Sequence, residues 1–375
     1  MSKRVLAMVR PMSAERVGGI ARYAREHGWN LVIQDRFGVI PLSWENDGMV
    51  VTLRDDPALV GSLRRLMALG VPAVDLTIDR PDVAMPRVIS DHEGIGRLAA
   101  AHFAERNYAH LAWFSTGWGN VHALRYRGFS SAVPAERWVL SREIPTASLG
   151  SSAAYLEWIG EKLRAAPKPL AVLTYDEADA ATLLYATGRF GLAVPEEVAI
   201  LSIGDNRLVC ESQPVPLSSI DQNLDRAGYE AAALLDGLMS GGRGPKSPIL
   251  VPPAGITLRR SSDAVAVSDP LVRAALGYIA DHLSTSFGVA QIARALGTTA
   301  NVLHNRFMAE LGHPVGAEIS RQRIAMAKRL LLETGMPAQD VANAAGFCSP
   351  SHLSNAFRAA TGLAPRAWRL KYGKA

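Results

Sequence analysis

One pattern, written twice between Phe287 and Arg369, constrains this chain more than any other feature. In the first copy, Val289-Ala290-Gln291-Ile292-Ala293-Arg294-Ala295-Leu296-Gly297 is followed by Leu303 and Phe307. In the second, Ala338-Gln339-Asp340-Val341-Ala342-Asn343-Ala344-Ala345-Gly346-Phe347 is followed by Leu353 and Phe357. Ile292, Ala293 and Gly297 pair with Val341, Ala342 and Gly346 at one fixed offset, which marks an internal repeat. Each copy has apolar residues at helical spacing, a small Ala where two helices approach and a Gly where the first helix stops. Each therefore predicts a helix-turn-helix unit.

The second helix of each copy begins at a capping residue, Thr299 in one and Ser349 in the other, and Pro350 is preset for the first helical position. Leu303 with Phe307, and Leu353 with Phe357, lie four residues apart and turn one apolar stripe inward. The outward face then carries Asn301, His304 and Asn305 in the first copy, and Ser351, Ser354 and Asn355 in the second. Such a small, polar, nearly uncharged face suits the reading of base edges. Arg306 and Arg358 flank the stripes and suit phosphate contact, which positions a protein on DNA without specifying sequence. Between the copies, Ile319, Ile324, Ala327, Leu330 and Leu331 mark a long amphipathic helix, with Arg321, Arg323, Lys328 and Arg329 expected on or near its polar side.

Charge is distributed accordingly. The formal net charge is +5, yet from Asp269 onward twelve Lys and Arg stand against six Asp and Glu, so the remainder of the chain is close to neutral. A basic C-terminal unit built on a duplicated helix-turn-helix points to the DNA backbone. Here the sequence resembles the AraC/XylS family of bacterial transcription regulators. The resemblance rests on Arg323-Ile324-Ala325-Met326-Ala327-Lys328-Arg329-Leu330-Leu331, on Val341-Ala342 through Gly346-Phe347, and on Thr361-Gly362-Leu363-Ala364-Pro365-Arg366-Ala367-Trp368-Arg369. It implies two recognition helices entering successive major grooves on one face of operator DNA.

Residues 1 to about 262 follow a different rule. Short β-branched runs at Val5–Val9, Leu31–Gln34, Gly48–Val51, Ala73–Leu76 and Val88–Ser90 alternate with helical patterns, and the series resumes at Leu111–Ser115, Ala171–Thr174 and Val198–Ser202. This alternation predicts parallel sheets covered by helices, arranged as two doubly wound lobes facing a cleft. The stretches Val88–Asp91 with Gly94 and Gly96-Arg97-Leu98, Arg125 ahead of Gly128-Phe129, and Ile200–Asn206 with Pro216–Gln222 resemble the ligand-binding domain of the LacI/GalR and periplasmic sugar-binding superfamily. The DNA-binding helices that precede that domain in LacI/GalR regulators have no counterpart ahead of Val5.

A sugar-binding-like domain followed by an AraC-type tail is similar to the xylose-operon activators, and Val251-Pro252-Pro253 with Arg259-Arg260-Ser261-Ser262 looks like their junction. The expected organisation is an α/β periplasmic-binding-protein-like domain over 1–262, a linker over 263–268 and an all-α double helix-turn-helix domain over 269–375. The resemblance implies a cytoplasmic regulator of operator DNA, an activator of pentose catabolism with xylose the leading effector, acting as a homodimer with RNA polymerase. Other effectors, sugars or metabolites, remain compatible with the residues.

Sugars are gripped by carboxylates that accept from adjacent hydroxyls and by guanidinium groups that donate in a fixed fork. Arg125 and Asp205 are the leading ligand residues, since each follows a strand on the side where open parallel sheets bind ligands. Asn206 joins Asp205 at the same strand end. For Arg125 and Asp205 the alternative is a structural ion pair or a loop cap; for Asp91 and Asp176 it is a helix cap. Trp118, between Gly117 and Gly119, is placed at the cleft mouth, whereas Trp113 and Phe114 at strand positions read as core.

The enzyme alternative lacks its parts. Gly94-Ile95-Gly96-Arg97-Leu98-Ala99 falls inside a helix rather than at a strand end and reads as close helix packing, and no nucleophile elbow or phosphate-binding Lys loop occurs. His92-Glu93 has no second His four residues beyond the first, and Cys210 and Cys348 lack metal-ligand spacing. No catalytic residue, metal or cofactor is expected. Arg10 ends the first apolar run too soon for a signal peptide, and no stretch is long enough to span a bilayer.

Overall fold

The computed structural model describes residues 2–10, 12–34, 47–54, 56–116, 119–133, 138–140, 152–264, 266–267, 269–285 and 287–372. The chain divides into two compact units, Met1–Ala264 and Val265–Ala375. The division falls between residues 264 and 265. Ser261 and Ser262 are fully buried in the first unit, and Val267 is already part of the core of the second.

In the first unit, β1 (Arg4–Met8), β2 (Asn30–Gln34), β3 (Gly48–Val51) and β4 (Ala73–Asp75) form a parallel sheet in the order β2-β1-β3-β4. Such strands are buried on both faces, which is why Val5, Leu6, Ala7 and Met49, Val50, Val51 read as unbroken apolar runs. Beside β4, an isolated bridge between Asp75 and Arg87 leads into β5 (Val88–Ser90). Helix α1 (Ala14–Glu26) starts at Ser13, whose side chain accepts from the Arg16 amide, and α2 (Pro57–Ala68) starts at Asp56 with Pro57 in its first turn.

The second lobe carries β6 (His110–Phe114), β7 (Trp138–Leu140), β8 (Leu170–Thr174), β9 (Val198–Gly204), β10 (Ser218–Asp221) and β12 (Gly255–Thr257) in the order β12-β10-β9-β8-β6-β7. All pairs are parallel except β10 with β12, an antiparallel edge that the alternating pattern does not predict. Its helices include α3 (His92–Glu105), α4 (Asn120–Ser131), α5 (Ser152–Ala165), α6 (Glu177–Arg189) and α7 (Arg207–Ser212). Helices α3 and α4 meet closely. A side chain at Gly96 would strike the Arg125 carbonyl and the Phe129 amide, and one at Gly128 would strike Glu93, so these glycines serve helix packing as expected.

The lobes are not consecutive in sequence. After β10 the chain returns to the first lobe as α8 (Leu224–Met239), which packs on α1 through Ala227, Ala231 and Leu235 against Ile20 and Tyr23, and then as β11 (Ile249–Val251), paired with β5. It crosses again to reach β12. Three connections, at Ser90-Asp91, at Gln222-Asn223 and at Pro252–Ala254, therefore join the lobes. All three are tied together: Ser90 Oγ donates to the Gln222 carbonyl, the Asp91 amide donates to the Val251 carbonyl at 2.8 Å, and Asn223 Nδ2 donates to the Pro252 carbonyl at 3.2 Å.

The second unit is wholly helical: α9 (Pro270–His282), α10 (Val289–Ala295), α11 (Ala300–Leu311), α12 (Val315–Glu333), α13 (Ala338–Ala344), α14 (Pro350–Thr361) and α15 (Pro365–Tyr372). Two separate cores match the two copies of the repeat. Ile292, Ala293, Leu303 and Phe307 pack in one, and Val341, Ala342, Leu353 and Phe357 in the other. Thr299 accepts from the Val302 amide and Ser349 from the His352 amide, so both expected caps form.

Arg323 of α12 departs from its expected polar face. It is buried, donates to the Thr285 carbonyl at 2.8 Å and lies over the Phe287 ring. Gly346 sits beside it with φ of 74°, a left-handed conformation, and a side chain there would strike the Leu283 carbonyl. The turn of the second copy is thereby locked against the segment that leads into the first.

Candidate ligand cleft and nucleic-acid interface

Every parallel strand of both lobes points its carboxyl end at the region between them, where ligands bind in open α/β sheets. Asn120 Nδ2 of α4 donates to the Ile78 carbonyl across this region at 2.9 Å. Arg125, one turn and a half further along α4, is only 5% exposed. Its Nη1 donates to the Tyr175 carbonyl at 2.6 Å, its Nη2 to Gln222 Oε1, and its plane lies 4.7 Å from the centre of the Tyr175 ring. Gln222 belongs to a lobe connection, so Arg125 ties the second lobe to the hinge. Its Nε has no acceptor.

Two groups that the sequence reading passed over share this place. Arg16, in the first turn of α1, has a buried Nε without an acceptor, and His92, at the start of α3, is 8% exposed with Nδ1 unpartnered. Burial, aided by Arg125 and Arg16, pushes His92 well below the ordinary imidazole range and holds it neutral. Burial, with Arg54 and Arg125 nearby, lowers Arg16 to about 10. The local signal available for both was their position just beyond a strand's carboxyl end; their amphipathic helices otherwise hide them.

The acidic residues are placed differently. Asp205 has φ of 63°, and both carboxylate oxygens are engaged: Oδ1 by Arg259 Nη1 at 2.8 Å and Oδ2 by Thr257 Oγ1 at 2.5 Å. Arg259 is itself buried, so Asp205 forms a structural ion pair, one of the alternatives weighed for it. Asp91 caps α3 through the Gly94 amide, and Asp176 caps α6 through the Asp179 amide, so both take the capping role. Asn206 is exposed and caps α7, while its amide donates to Glu177 Oε1 at 2.8 Å. Trp118 lies outside the described residues. Trp113 and Phe114 are core, as expected.

Further carboxylates near the strand ends are also satisfied. Asp75 Oδ1 accepts from the Leu53 and Thr77 amides, each at 3.0 Å, and Oδ2 pairs with Arg87; burial pushes its carboxyl up to about 6. Asp179 accepts from the Thr116 amide and hydroxyl and is likewise raised by burial to about 6. Among the described residues no group of three or more His, Cys, Asp and Glu side chains is arranged to hold a metal ion.

In the helical unit, α11 and α14 each turn Leu and Phe inward and leave the opposite face open. Asn301, His304 and Asn305 are exposed on α11, and Ser351 and Asn355 are exposed on α14 with Ser354 half-buried. Arg358 is exposed and pairs with no carboxylate among the described residues. Arg306 is not: its Nη1 pairs with Asp269 Oδ2 at 3.0 Å, while Asp269 Oδ1 caps α9. The asymmetry escapes local reading because Asp269 lies 37 residues away. His352 is exposed and sets its ring edge against Phe347.

Comparison with known proteins agrees with both halves. The periplasmic binding protein-like domain family matches residues 100–262, and a helix-turn-helix domain family matches residues 292–371. The xylose operon regulatory protein of Haemophilus influenzae is 25% identical over 94% of this chain and 94% of its own length. The chain is built as a DNA-binding transcription regulator, with a periplasmic binding protein-like domain ahead of a helix-turn-helix domain. The arabinose operon regulatory protein of Escherichia coli shares 36% identity over 102 residues, 27% of this chain and 35% of that protein, and so resembles one part only. A solved structure described as a xylose-binding transcription activator has the same fold over 100% of this chain and 99% of its own, with a TM-score of 0.75 at 22% identity. This regulator thus keeps the order of sensor-like domain first and helix-turn-helix domain second.

Proposed function

We propose that this regulator is sugar-responsive: a sugar of the pentose class seats between the lobes, and its binding changes how the helical unit engages operator DNA. The observation that carries the reading is Arg125, a buried guanidinium with an unsatisfied Nε, which faces the cleft while bonded to the hinge residue Gln222. A ligand that satisfies Arg125 acts on the connection between the lobes, and differential binding to two lobe arrangements is what shifts their populations. Xylose is the reference effector because the full-length relatives are called xylose operon regulatory proteins. The protein acts in the cytoplasm on double-stranded operator DNA, as a homodimer that engages RNA polymerase as an activator; the family resemblance supports these assignments.

On the DNA side, α11 and α14 read base edges through Asn301, His304, Asn305, Ser351, Ser354 and Asn355, and Arg358 contacts phosphate. Two recognition helices in successive major grooves require contacts centred about 34 Å apart on one face of the duplex. A footprinting experiment with the full chain, with and without sugar, tests both halves. The expected result is a two-groove footprint whose strength depends on sugar, with the sugar recovered unchanged. A one-groove footprint overturns the duplicated reading, and turnover of the sugar overturns the regulator in favour of an enzyme.

A further inference from the structure

The cleft has an unusual imbalance between donors and acceptors. Three groups converge there from three elements, Arg16 from α1, His92 from α3 and Arg125 from α4, and each keeps a buried nitrogen without a partner. A guanidinium has only donors to offer, so two of these three can be satisfied by an acceptor alone. Among the described residues no carboxylate pairs with Arg16 or Arg125. The acids that act on them already have partners: Asp176 caps α6, Glu177 accepts from the Asn206 amide, and Asp75, near Arg16, accepts from the Leu53 and Thr77 amides and pairs with Arg87. Arg54 has its own partner in Asp79 at 4.0 Å.

Arg125 is buried and Arg16 half-buried, neither has a carboxylate partner among the described residues, and a neutral sugar offsets that charge poorly. Its hydroxyls must donate as well as accept, and the carboxylates nearest Arg125, Asp176 and Glu177, already each hold a backbone amide. A carboxylate or phosphate brings only acceptor oxygens and a compensating charge, and Arg forks bind both in two-point fashion. From this juxtaposition of Arg16, His92 and Arg125 we infer that the effector is a sugar derivative bearing one anionic group, a carboxylate or a phosphate, seated between the two guanidinium groups. The inference rests on the sugar-sensor reading and sharpens it: the carbon skeleton remains that of a pentose, and the charge is what the cleft selects. Neutral His92 then gives a hydrogen bond to the same group or to the adjacent hydroxyl.

The test is calorimetric titration of the full chain with three sugar probes, xylose, the corresponding pentonate and a pentose phosphate, and with inorganic phosphate and acetate as bare anions, each at low and at high salt. The pentonate or the pentose phosphate is expected to bind at least tenfold more tightly than xylose, and which of the two wins identifies the anionic group. Arg16→Gln should reduce that preference for the anionic probes over xylose at least tenfold. Arg16→Lys, which keeps the charge but loses the fork, should fall between. An equal or tighter grip on neutral xylose overturns the inference and leaves the sensor reading intact. Absence of binding by all three sugar probes overturns the sensor reading itself. Binding of inorganic phosphate or acetate as tight as that of the sugar derivatives shows a bare anion site and overturns the assignment to a sugar.

Discussion

The cleft and the recognition faces do their work with opposite kinds of surface. In the cleft the groups that matter are charged, buried and incompletely bonded; Arg125 is 5% exposed and still lacks one acceptor. On α11 and α14 they are small, uncharged and open to solvent, carried by helices whose other faces are fully buried at Leu303, Phe307, Leu353 and Phe357. The difference teaches how each region tolerates change. A buried charge acts through what it is bonded to, so altering the cleft disturbs the fold as well as the ligand. An exposed Asn or Ser has no structural partner to lose, so altering it changes recognition alone.

Asp205→Ala should break this contrast most visibly if it is wrong. It leaves Arg259 buried without its carboxylate, and removing one partner of a buried ion pair costs about 3 kcal/mol. Chemical denaturation of the free protein should show that loss, although Asp205 stands at a strand end where a ligand residue was expected. A native-like melt with lost sugar response would instead return Asp205 to the ligand. Arg125→Ala comes next. Truncating one partner of a buried, hydrogen-bonded charge is worth roughly 2–5 kcal/mol in binding, so effector affinity measured by titration should fall about a hundredfold. DNA binding without effector should persist, since Arg125 lies in the other unit.

Smaller effects belong to the exposed faces. Asn305→Ala should relax base preference at one position by about 1–3 kcal/mol in competition with mutated operators, with thermal stability unchanged. Arg358→Ala should weaken all sequences alike and lower the salt slope by about one. Uniform loss in both variants would contradict the division between base and phosphate contacts. The smallest effect concerns Arg306. Asp269→Asn should release it for phosphate and steepen the salt slope, while the exposed ion pair itself contributes under about 1 kcal/mol to stability. An unchanged slope would mean that Arg306 faces no phosphate even when free.

The sequence made some of this legible and hid the rest for a physical reason. The repeat, its caps at Thr299 and Ser349 and its buried stripe are local features, decided by residues within one or two turns of each other, and they are where expected. The partners that decide roles in the cleft are remote. Arg259 reaches Asp205 from 54 positions away, and Gln222 reaches Arg125 from 97. The return of α8 and β11 to the first lobe is of the same kind, because periodicity announces a strand and says nothing about which sheet it joins. Asp91 and Asp176 show the ambiguity at its plainest: a carboxylate just after a strand suits a ligand and a helix cap equally, and both are caps.

The central claim is that a small molecule held between the lobes governs how this chain holds DNA. The direct measurement is a titration of the full chain against an operator fragment at one fixed salt concentration, without effector and at saturating effector, in the natural sequence and in Arg125→Ala. The account predicts that effector shifts operator affinity by the 5- to 150-fold typical of allosteric coupling in the natural sequence, and leaves the Arg125→Ala curve where it was. Two superimposable curves for the natural sequence, at an effector concentration shown by calorimetry to saturate the cleft, would contradict it.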